Sequence, residues 1–210
     1  MIDLNPTHLI GKGRTRTCYL HPLDPDKCIK IDHRTSGGPT QKEARYYQKL
    51  ARIRPELSYI HIPRFYGMVE TNLGPGGVFD LIRDETTGDI SKSLSHYVHS
   101  GAVTVDHPLW QQAHRDYMKA LYEDAVIIRD FNPGNLCVRQ LRDGGYRFVT
   151  IDGVGHRDFL PLCDYFPWFA RRKLRRQVHR KNFDSLAEII NRAADKTRKR
   201  AALQHKESNP

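Results

Sequence analysis

The pattern of apolar and polar positions divides the chain into a strand-rich first part and a helical second part. Short alternating runs at 17–20 and 27–31 flank a turn of Pro and Asp residues, which predicts strand, turn, strand. Two further runs, 62–70 and 77–82, predict another pair of strands around a Gly/Pro turn. The polar stretch 83–91 that follows predicts a hinge between the two parts.

Apolar residues at helical spacing predict one helix within the first part. Thr40 and Glu43 have the spacing of a capping box, so we expect this helix to begin at Thr40 and to end before Pro55. Beyond the hinge, 93–99 predicts a short helix and 108–124 a longer one with an apolar face. Residues 136–139 and 146–151 predict a hairpin, and the chain after it is predicted to be helical and basic, with a frayed end.

The loop after the apolar run 126–128 carries an acidic and amide motif, Asp130-Phe-Asn-Pro-Gly-Asn135. A second carboxylate, Asp152, follows the hairpin, whose second strand should return it beside this loop. Kinase-type phosphoryl transfer needs one Asp to orient the attacking hydroxyl, and an Asn and a second Asp to hold Mg²⁺. Each of the three residues can also be an ordinary turn or capping residue, and these alternatives stay open.

A possible phosphate-binding segment lies near the start of the chain. Gly11 and Gly13 stand between two predicted strands, where glycine lets backbone N–H groups approach phosphate oxygens, although a plain hairpin turn explains them as well. Lys30 is centred in an apolar strand, on the face opposite Ile29 and Ile31. A lysine that faces inward needs an anionic partner, which Glu43 on the next helix could supply.

Composition narrows the class of protein. The chain has 210 residues, 39% of them hydrophobic, and a formal net charge of +10, which favours anionic partners such as nucleotides, nucleic acid or acidic surfaces. We find no secretory signal, no transmembrane segment and no Cys-x-x-Cys pair, so a reduced, cytoplasmic protein is expected. The basic run 171–181 predicts either an amphipathic helix with solvated charges or a docking surface for an anionic partner.

Taken in order, these parts resemble the protein-kinase-like fold: two glycines, a strand lysine, a helix glutamate, a hinge, an Asp-x4-Asn loop and an Asp-Gly pair. More narrowly, the chain resembles the bacterial YrbL family of PhoP regulatory network proteins. The cues are Gly-x-Gly near the start, Cys28-Ile-Lys-Ile31, Ile62-Pro-Arg-Phe-Tyr-Gly67 and Asn132-Pro-Gly-Asn-Leu136. The resemblance implies an α+β, two-lobed protein-kinase-like fold with a β-rich N-lobe (1–83), a reduced helical C-lobe (84–168) and a basic helical segment (169–210).

The resemblance also implies roles for individual residues, with ATP and Mg²⁺ as cofactors. Asp130 would orient the acceptor hydroxyl or take its proton, and Asn135 and Asp152 would bind Mg²⁺. The nucleotide would be held by the phosphate-covering glycines, the strand lysine with its glutamate partner, and backbone groups of the hinge: Gly11, Gly13, Lys30, Glu43, Asp80, Leu81, Ile82 and Arg83.

The chain also departs from the kinase pattern. Arg16 stands in place of a third glycine, Ile128 in place of the usual His, and Asn132 in place of the usual Lys. Asp152 is followed directly by Gly153, and no Ala-Pro-Glu motif follows.

These departures argue against a typical protein kinase. We expect a phosphotransferase with a small or atypical acceptor, such as a small molecule, a glycan or a protein. The alternatives are a nucleotide-binding pseudokinase that acts as a regulatory interaction module, and a basic nucleic-acid-binding protein.

Overall fold

The structure is a computed structural model that describes residues 1–34, 37–103, 107–155 and 165–195. The predicted fraying of the last residues, Cys163 and part of the predicted C-lobe (156–164) lie outside the described residues.

The first part of the chain forms a five-stranded antiparallel sheet, as the alternating runs predicted. A short 3-10 turn, Pro6–His8, precedes it, and one helix, α1 (Pro39–Ile53), connects the third strand to the fourth. The order in the sheet is β1-β2-β3-β5-β4, so β5 lies between β3 and β4. The strands are β1 (Leu9–Lys12), β2 (Arg16–His21), β3 (Asp24–Asp32), β4 (Phe65–Thr71) and β5 (Gly74–Asp80).

The start of α1 differs from the predicted capping box. Gly38 is the N-cap and Thr40 lies inside the first turn, so this prediction is wrong. Asp32, at the end of β3, accepts hydrogen bonds from the Thr40 backbone N–H (3.0 Å) and from Thr40 Oγ1 (2.7 Å). A carboxylate from the preceding strand therefore accepts hydrogen bonds from a donor group in the first turn of α1 that has no partner within the helix. This leaves Glu43 free to point into the interior, where it is 2% exposed.

The second part of the chain is mostly helical, and its core lies between the helices and a two-stranded hairpin. Tyr117, Phe148 and Leu174 are fully buried there. Its elements are α2 (Leu94–His99), α3 (Pro108–Glu123), β6 (Leu136–Gln140), β7 (Tyr146–Thr150) and α4 (Pro167–Arg180), and residues 186–195 are also helical. The fold class is therefore α+β, with a β-rich first lobe and a helical second lobe, as predicted. The exact division at 83/84 and 168/169 stays a prediction.

The basic helix α4 docks on the second lobe through an apolar face. Ala170, Leu174 and Val178 are buried, while Arg172 and Arg176 are exposed. Arg171 donates hydrogen bonds to the carbonyl groups of Tyr122 (2.8 Å) and Glu123 (3.1 Å) near the end of α3. The amphipathic interpretation of the basic run is thus confirmed for this helix.

None of the helices in the described ranges is both long enough and apolar enough to span a membrane.

A buried histidine makes the stability depend on pH. His114 of α3 is 6% exposed, and its Nε2 lies 3.0 Å from the carbonyl oxygen of Phe183. Burial lowers the pKa of His114 below its ordinary value, and this outweighs the opposite effect of the hydrogen bond. As the pH falls through the unfolded pKa of about 6.5, the unfolded chain takes up a proton that the folded chain resists, so stability is lost.

We therefore expect the free energy of unfolding to fall between about pH 7.5 and about pH 5, and His114→Gln to reduce this dependence. Gln can still donate to the Phe183 carbonyl but does not titrate. The measurement is denaturant unfolding at both pH values, with exposed His96→Gln as the control. Identical pH slopes for His114→Gln and wild type would contradict the prediction.

Candidate functional site

The loop that carries Asp130 runs beside the segment that carries Asp152. Three contacts connect them: Arg129 N–H donates to the Gly153 carbonyl (2.7 Å), Gly155 N–H donates to the Ile127 carbonyl (2.8 Å), and Ile128 pairs with Val154. On the other side, Ile151 N–H donates to the Asn135 carbonyl (2.9 Å). The hairpin therefore returns Asp152 beside the loop, as the sequence predicted.

Glycine is needed directly after Asp152. Gly153 has φ +81°, and a Cβ built on it would lie 3.2 Å from the backbone nitrogen of Asp130. A side chain at Gly153 would strain the backbone and push on the loop at Asp130. The Asp-Gly pair thus has a local steric reason.

Asp130 and Asn135 face each other across the loop. Asn135 Nδ2 donates to Asp130 Oδ2 at 3.1 Å. The turn between them, Pro133–Asn135, is capped by Asn132, whose Oδ1 accepts from Gly134 N–H at 2.9 Å. Asn132 therefore performs the capping that was one alternative role for Asp130. The exposed Asp130 carboxylate is left beside the Asn135 amide, where it can contact a bound molecule.

Arg16, at the start of β2, joins both lobes of the molecule. Its Nη1 donates to Glu43 Oε2 at 2.7 Å, and its Nη2 forms an ion pair with Asp152. The Arg16 and Glu43 side chains are 8% and 2% exposed, whereas the Asp152 side chain is 37% exposed. Burial alone would lower the pKa of Arg16, but the charges of Glu43 and Asp152 outweigh it and raise that pKa.

Lys30 does not pair with Glu43, contrary to the sequence expectation. Its Nζ donates to the carbonyl of Ile151 at 2.5 Å and lies 4.2 Å from the centre of the Phe79 ring. Glu43 binds Arg16 and accepts from Val154 N–H at 3.2 Å. The inward orientation of Lys30 is as expected, since it is 7% exposed on the face opposite Ile29 and Ile31. Its partner is a backbone carbonyl next to Asp152.

A cleft of about 560 Å³ lies between the lobes. Its volume is in the range of small-molecule and cofactor sites. The predicted site residues that line it are Gly11, Gly13, Lys30, Asp80, Leu81, Ile82, Asn135 and Asp152. Arg16 also lines the cleft, although the sequence indicated it only as the residue in place of a third glycine.

The hinge offers backbone groups to this cleft. The Asp80 and Leu81 amides are occupied, donating to Arg64 O (3.1 Å) and to Asp26 O (2.8 Å). In the described part of the chain, the neighbouring Ile82 N–H has no hydrogen-bond partner. This amide can therefore donate to a ligand.

Three predicted site residues do not line the cleft. Arg83 donates to the carbonyls of Pro25 (2.8 Å) and Gly88 (2.8 Å), so its side chain braces the hinge. Glu43 lies behind Arg16. Asp130 lines a neighbouring cavity that meets the cleft at Gly134 and Asn135.

The fold and the site together define the class of protein. The sheet order, α1 between β3 and β4, a hinge after β5, and an Asp-x4-Asn loop beside an Asp-Gly segment are the arrangement of a protein-kinase-like fold. The predicted fold is confirmed.

Within that class, the chain belongs to the family described as PhoP regulatory network protein YrbL, whose model matches residues 2–183. It is 31% identical, over 179 residues, to the YrbL proteins of Escherichia coli (strain K12) and Shigella flexneri, with 84% of this chain and 84% of each relative covered. The predicted family is confirmed.

Among solved structures, the chain is similar to the Mycobacterium tuberculosis PknI kinase domain, with 17% identity and a TM-score of 0.48. The match covers 71% of this chain and 59% of that domain. A single-substitution mutant of the same domain matches with 15% identity and a TM-score of 0.43, with the same coverage.

Arg16→Met should destabilise the protein strongly, because Glu43 would remain as a buried carboxylate without its cation. Breaking a buried ion pair costs about 3–5 kcal/mol. The measurement is denaturant unfolding, and the matched control is Arg14→Met in the same segment, where the side chain is exposed. The double variant Arg16→Met, Glu43→Gln should lose less than Arg16→Met alone, since Gln can still accept from Val154 N–H. Equal stability of Arg16→Met and Arg14→Met would refute this account.

Proposed function

We propose that this protein is an ATP- and Mg²⁺-dependent phosphotransferase with a small or atypical acceptor, acting in the cytoplasm in a bacterial regulatory network. One observation carries the proposal: Asp130 is hydrogen-bonded to Asn135, which lines with Asp152 a cleft that also contains two glycines, a buried lysine and a free hinge amide. This combination is what phosphoryl transfer by positioning and charge neutralisation requires.

The nucleotide would lie along this cleft. The adenine edge would accept from Ile82 N–H, and the phosphates would lie under Gly11 and Gly13, close to the ammonium group of Lys30. Asn135 and Asp152 supply hard oxygen ligands of the kind that Mg²⁺ binds, and the ion would neutralise phosphate charge. Arg16 would share Asp152 with that ion or turn its remaining N–H groups towards the phosphates.

Asp130 would act on the acceptor. It is exposed, and the amide of Asn135 fixes one of its oxygens at 3.1 Å, so the other oxygen can accept a hydrogen bond from the attacking hydroxyl. Ile128, in place of the usual His, is 1% exposed and packs in the core behind the loop. The loop is thus supported by apolar packing instead of by an imidazole.

A second candidate function is a pseudokinase, a regulatory interaction module without catalysis. The observation that favours it is the ion pair between Arg16 and Asp152, which gives the predicted metal ligand a cationic partner from the protein itself. Asn132 stands where the kinase pattern has Lys. This also favours a pseudokinase, because the replacement removes a cation from the loop.

Nucleotide binding is tested by thermal unfolding with ATP and Mg²⁺, with ATP alone and with neither. A ligand at about 100 times its Kd stabilises by roughly 2.7 kcal/mol, a rise of about 5–10 °C for a chain of this size. We expect Asp152→Asn to abolish the part that depends on Mg²⁺, and exposed Asp116→Asn on α3 to keep it. No shift at millimolar ATP would overturn both the enzyme and the nucleotide-binding pseudokinase.

Catalysis is tested separately with Asp130→Asn. This variant should bind ATP and Mg²⁺ as wild type does but transfer phosphate about 100- to 10,000-fold more slowly, the usual contribution of a positioned acid or base. The measurement is release or transfer of the labelled γ-phosphate of ATP in the presence of a mixture of candidate acceptors. If wild type and Asp130→Asn bind nucleotide but are equally inactive, the pseudokinase is the better description.

A further inference from the structure

A second cavity, of about 370 Å³, opens on the other side of the Asp130 loop. It touches the nucleotide cleft at Gly134 and Asn135, which line both. Asp130 lines this second cavity and not the cleft, whereas Asp152 lines the cleft and not this cavity. The two predicted carboxylates therefore line different, adjoining spaces.

Two cations line this cavity from the C-terminal side. Lys181 follows the last turn of α4, and Arg192 lies in the helical segment 186–195. Among the described residues, no carboxylate lies within ion-pair distance of either side chain, and both side chains are partly buried. Partly buried cations without a counter-ion favour the binding of an oxyanion.

An aromatic pair packs the turn after Lys181 against the Asp130 loop. Phe131, next to Asp130, is 4% exposed and lies 4.8 Å, ring centre to ring centre, from Phe183, which is 1% exposed. The carbonyl of Phe183 also accepts from the buried His114. Phe183 lies in the turn between Lys181 and the last helical segment, so this contact holds the backbone at Lys181 beside the Asp130 loop.

We propose that this cavity is the acceptor site, and that the acceptor is a small hydroxylated molecule that already carries a phosphate group. The phosphate would bind Lys181 and Arg192, which would direct a hydroxyl towards Asp130. The inference rests on the proposed phosphotransferase function and names its substrate class. A volume of about 370 Å³ suits a metabolite of the size of a sugar or polyol phosphate.

The transfer conserves atoms and electrons. The acceptor hydroxyl oxygen forms a bond to the γ-phosphorus of ATP, and the bond from that phosphorus to the bridging oxygen of ADP breaks. ADP leaves with the electron pair, and the hydroxyl proton passes to Asp130 and then to water. The product is a bisphosphorylated molecule and ADP.

The test is binding of glucose 6-phosphate and glycerol 3-phosphate, measured by calorimetry with the nucleotide cleft saturated by ADP and Mg²⁺. Glucose, glycerol and gluconate are the matched probes without phosphate, and inorganic phosphate is the probe without hydroxylated carbon. We expect at least one phosphate ester to bind wild type. The double variant Lys181→Gln, Arg192→Gln, called the cavity variant, should bind that ester at least about tenfold more weakly, since each charge-assisted hydrogen bond contributes roughly that much. Neither glucose nor glycerol should bind.

The control variant is Arg172→Gln, Arg176→Gln, which removes the same charge from exposed positions of α4 that line a different cavity. It should bind the phosphate ester as wild type does. Any one of three outcomes overturns the proposal. The cavity variant and wild type bind the ester equally, gluconate binds wild type more tightly than the esters do, or neither ester binds at about 10 mM, a concentration well above ordinary metabolite KM values.

Failure of the proposed function is separable from failure of this inference. ADP and Mg²⁺ should bind Lys181→Gln, Arg192→Gln as tightly as wild type, because neither residue lines the nucleotide cleft. If ADP binds but the esters do not, the acceptor site is wrong and the nucleotide site stands. If ADP does not bind wild type, the phosphotransferase is wrong.

Discussion

The contact on which the rest of this structure depends is the buried guanidinium of Arg16 between Glu43 and Asp152. It connects the start of β2, the helix α1 and the segment after β7, which belong to different lobes. Lys30 donates to the carbonyl next to Asp152, so a second cation contacts the same segment after β7. Because the buried charges of Arg16 and Glu43 are stable only together, their ion pair holds β2 against α1 beside the cleft.

The sequence predicted the elements well, because alternation and helical spacing report which side of an element is buried. It failed where the choice lay between side chains that only the fold brings together. Lys30 and Arg16 lie on neighbouring strands, but in the β2–β3 register, with Arg16 opposite Asp32, it is the Arg16 guanidinium that reaches Glu43. The predicted capping box was wrong for the same reason: Asp32 at the end of β3 accepts from Thr40 at the start of α1, a contact that no local pattern indicates.

Two departures from the kinase pattern have structural explanations. Ile128 completes the apolar core behind the loop, and Asn132 caps the turn that positions Asn135. Neither change disturbs the Asp130–Asn135 pair, whose geometry comes from the loop itself. Arg16 was noted in the sequence only as the residue in place of a third glycine. Its role as an ion-pair partner depends on two carboxylates that lie far away along the chain. Likewise, the basic run revealed Lys181 only as one of many charges.

The division of labour between the two cavities follows from how the loop is built. The capped turn Pro133–Asn135 forms a thin wall, and Gly134, with no side chain, lets both spaces approach it. A phosphoryl group bound near Asn135 would therefore lie close to a molecule held on the Asp130 side of the same turn. On the Asp130 side, the turn after α4, which Phe183 packs against Phe131, brings Lys181 to the proposed acceptor cavity, where its charge is opposite to that of a phosphate ester.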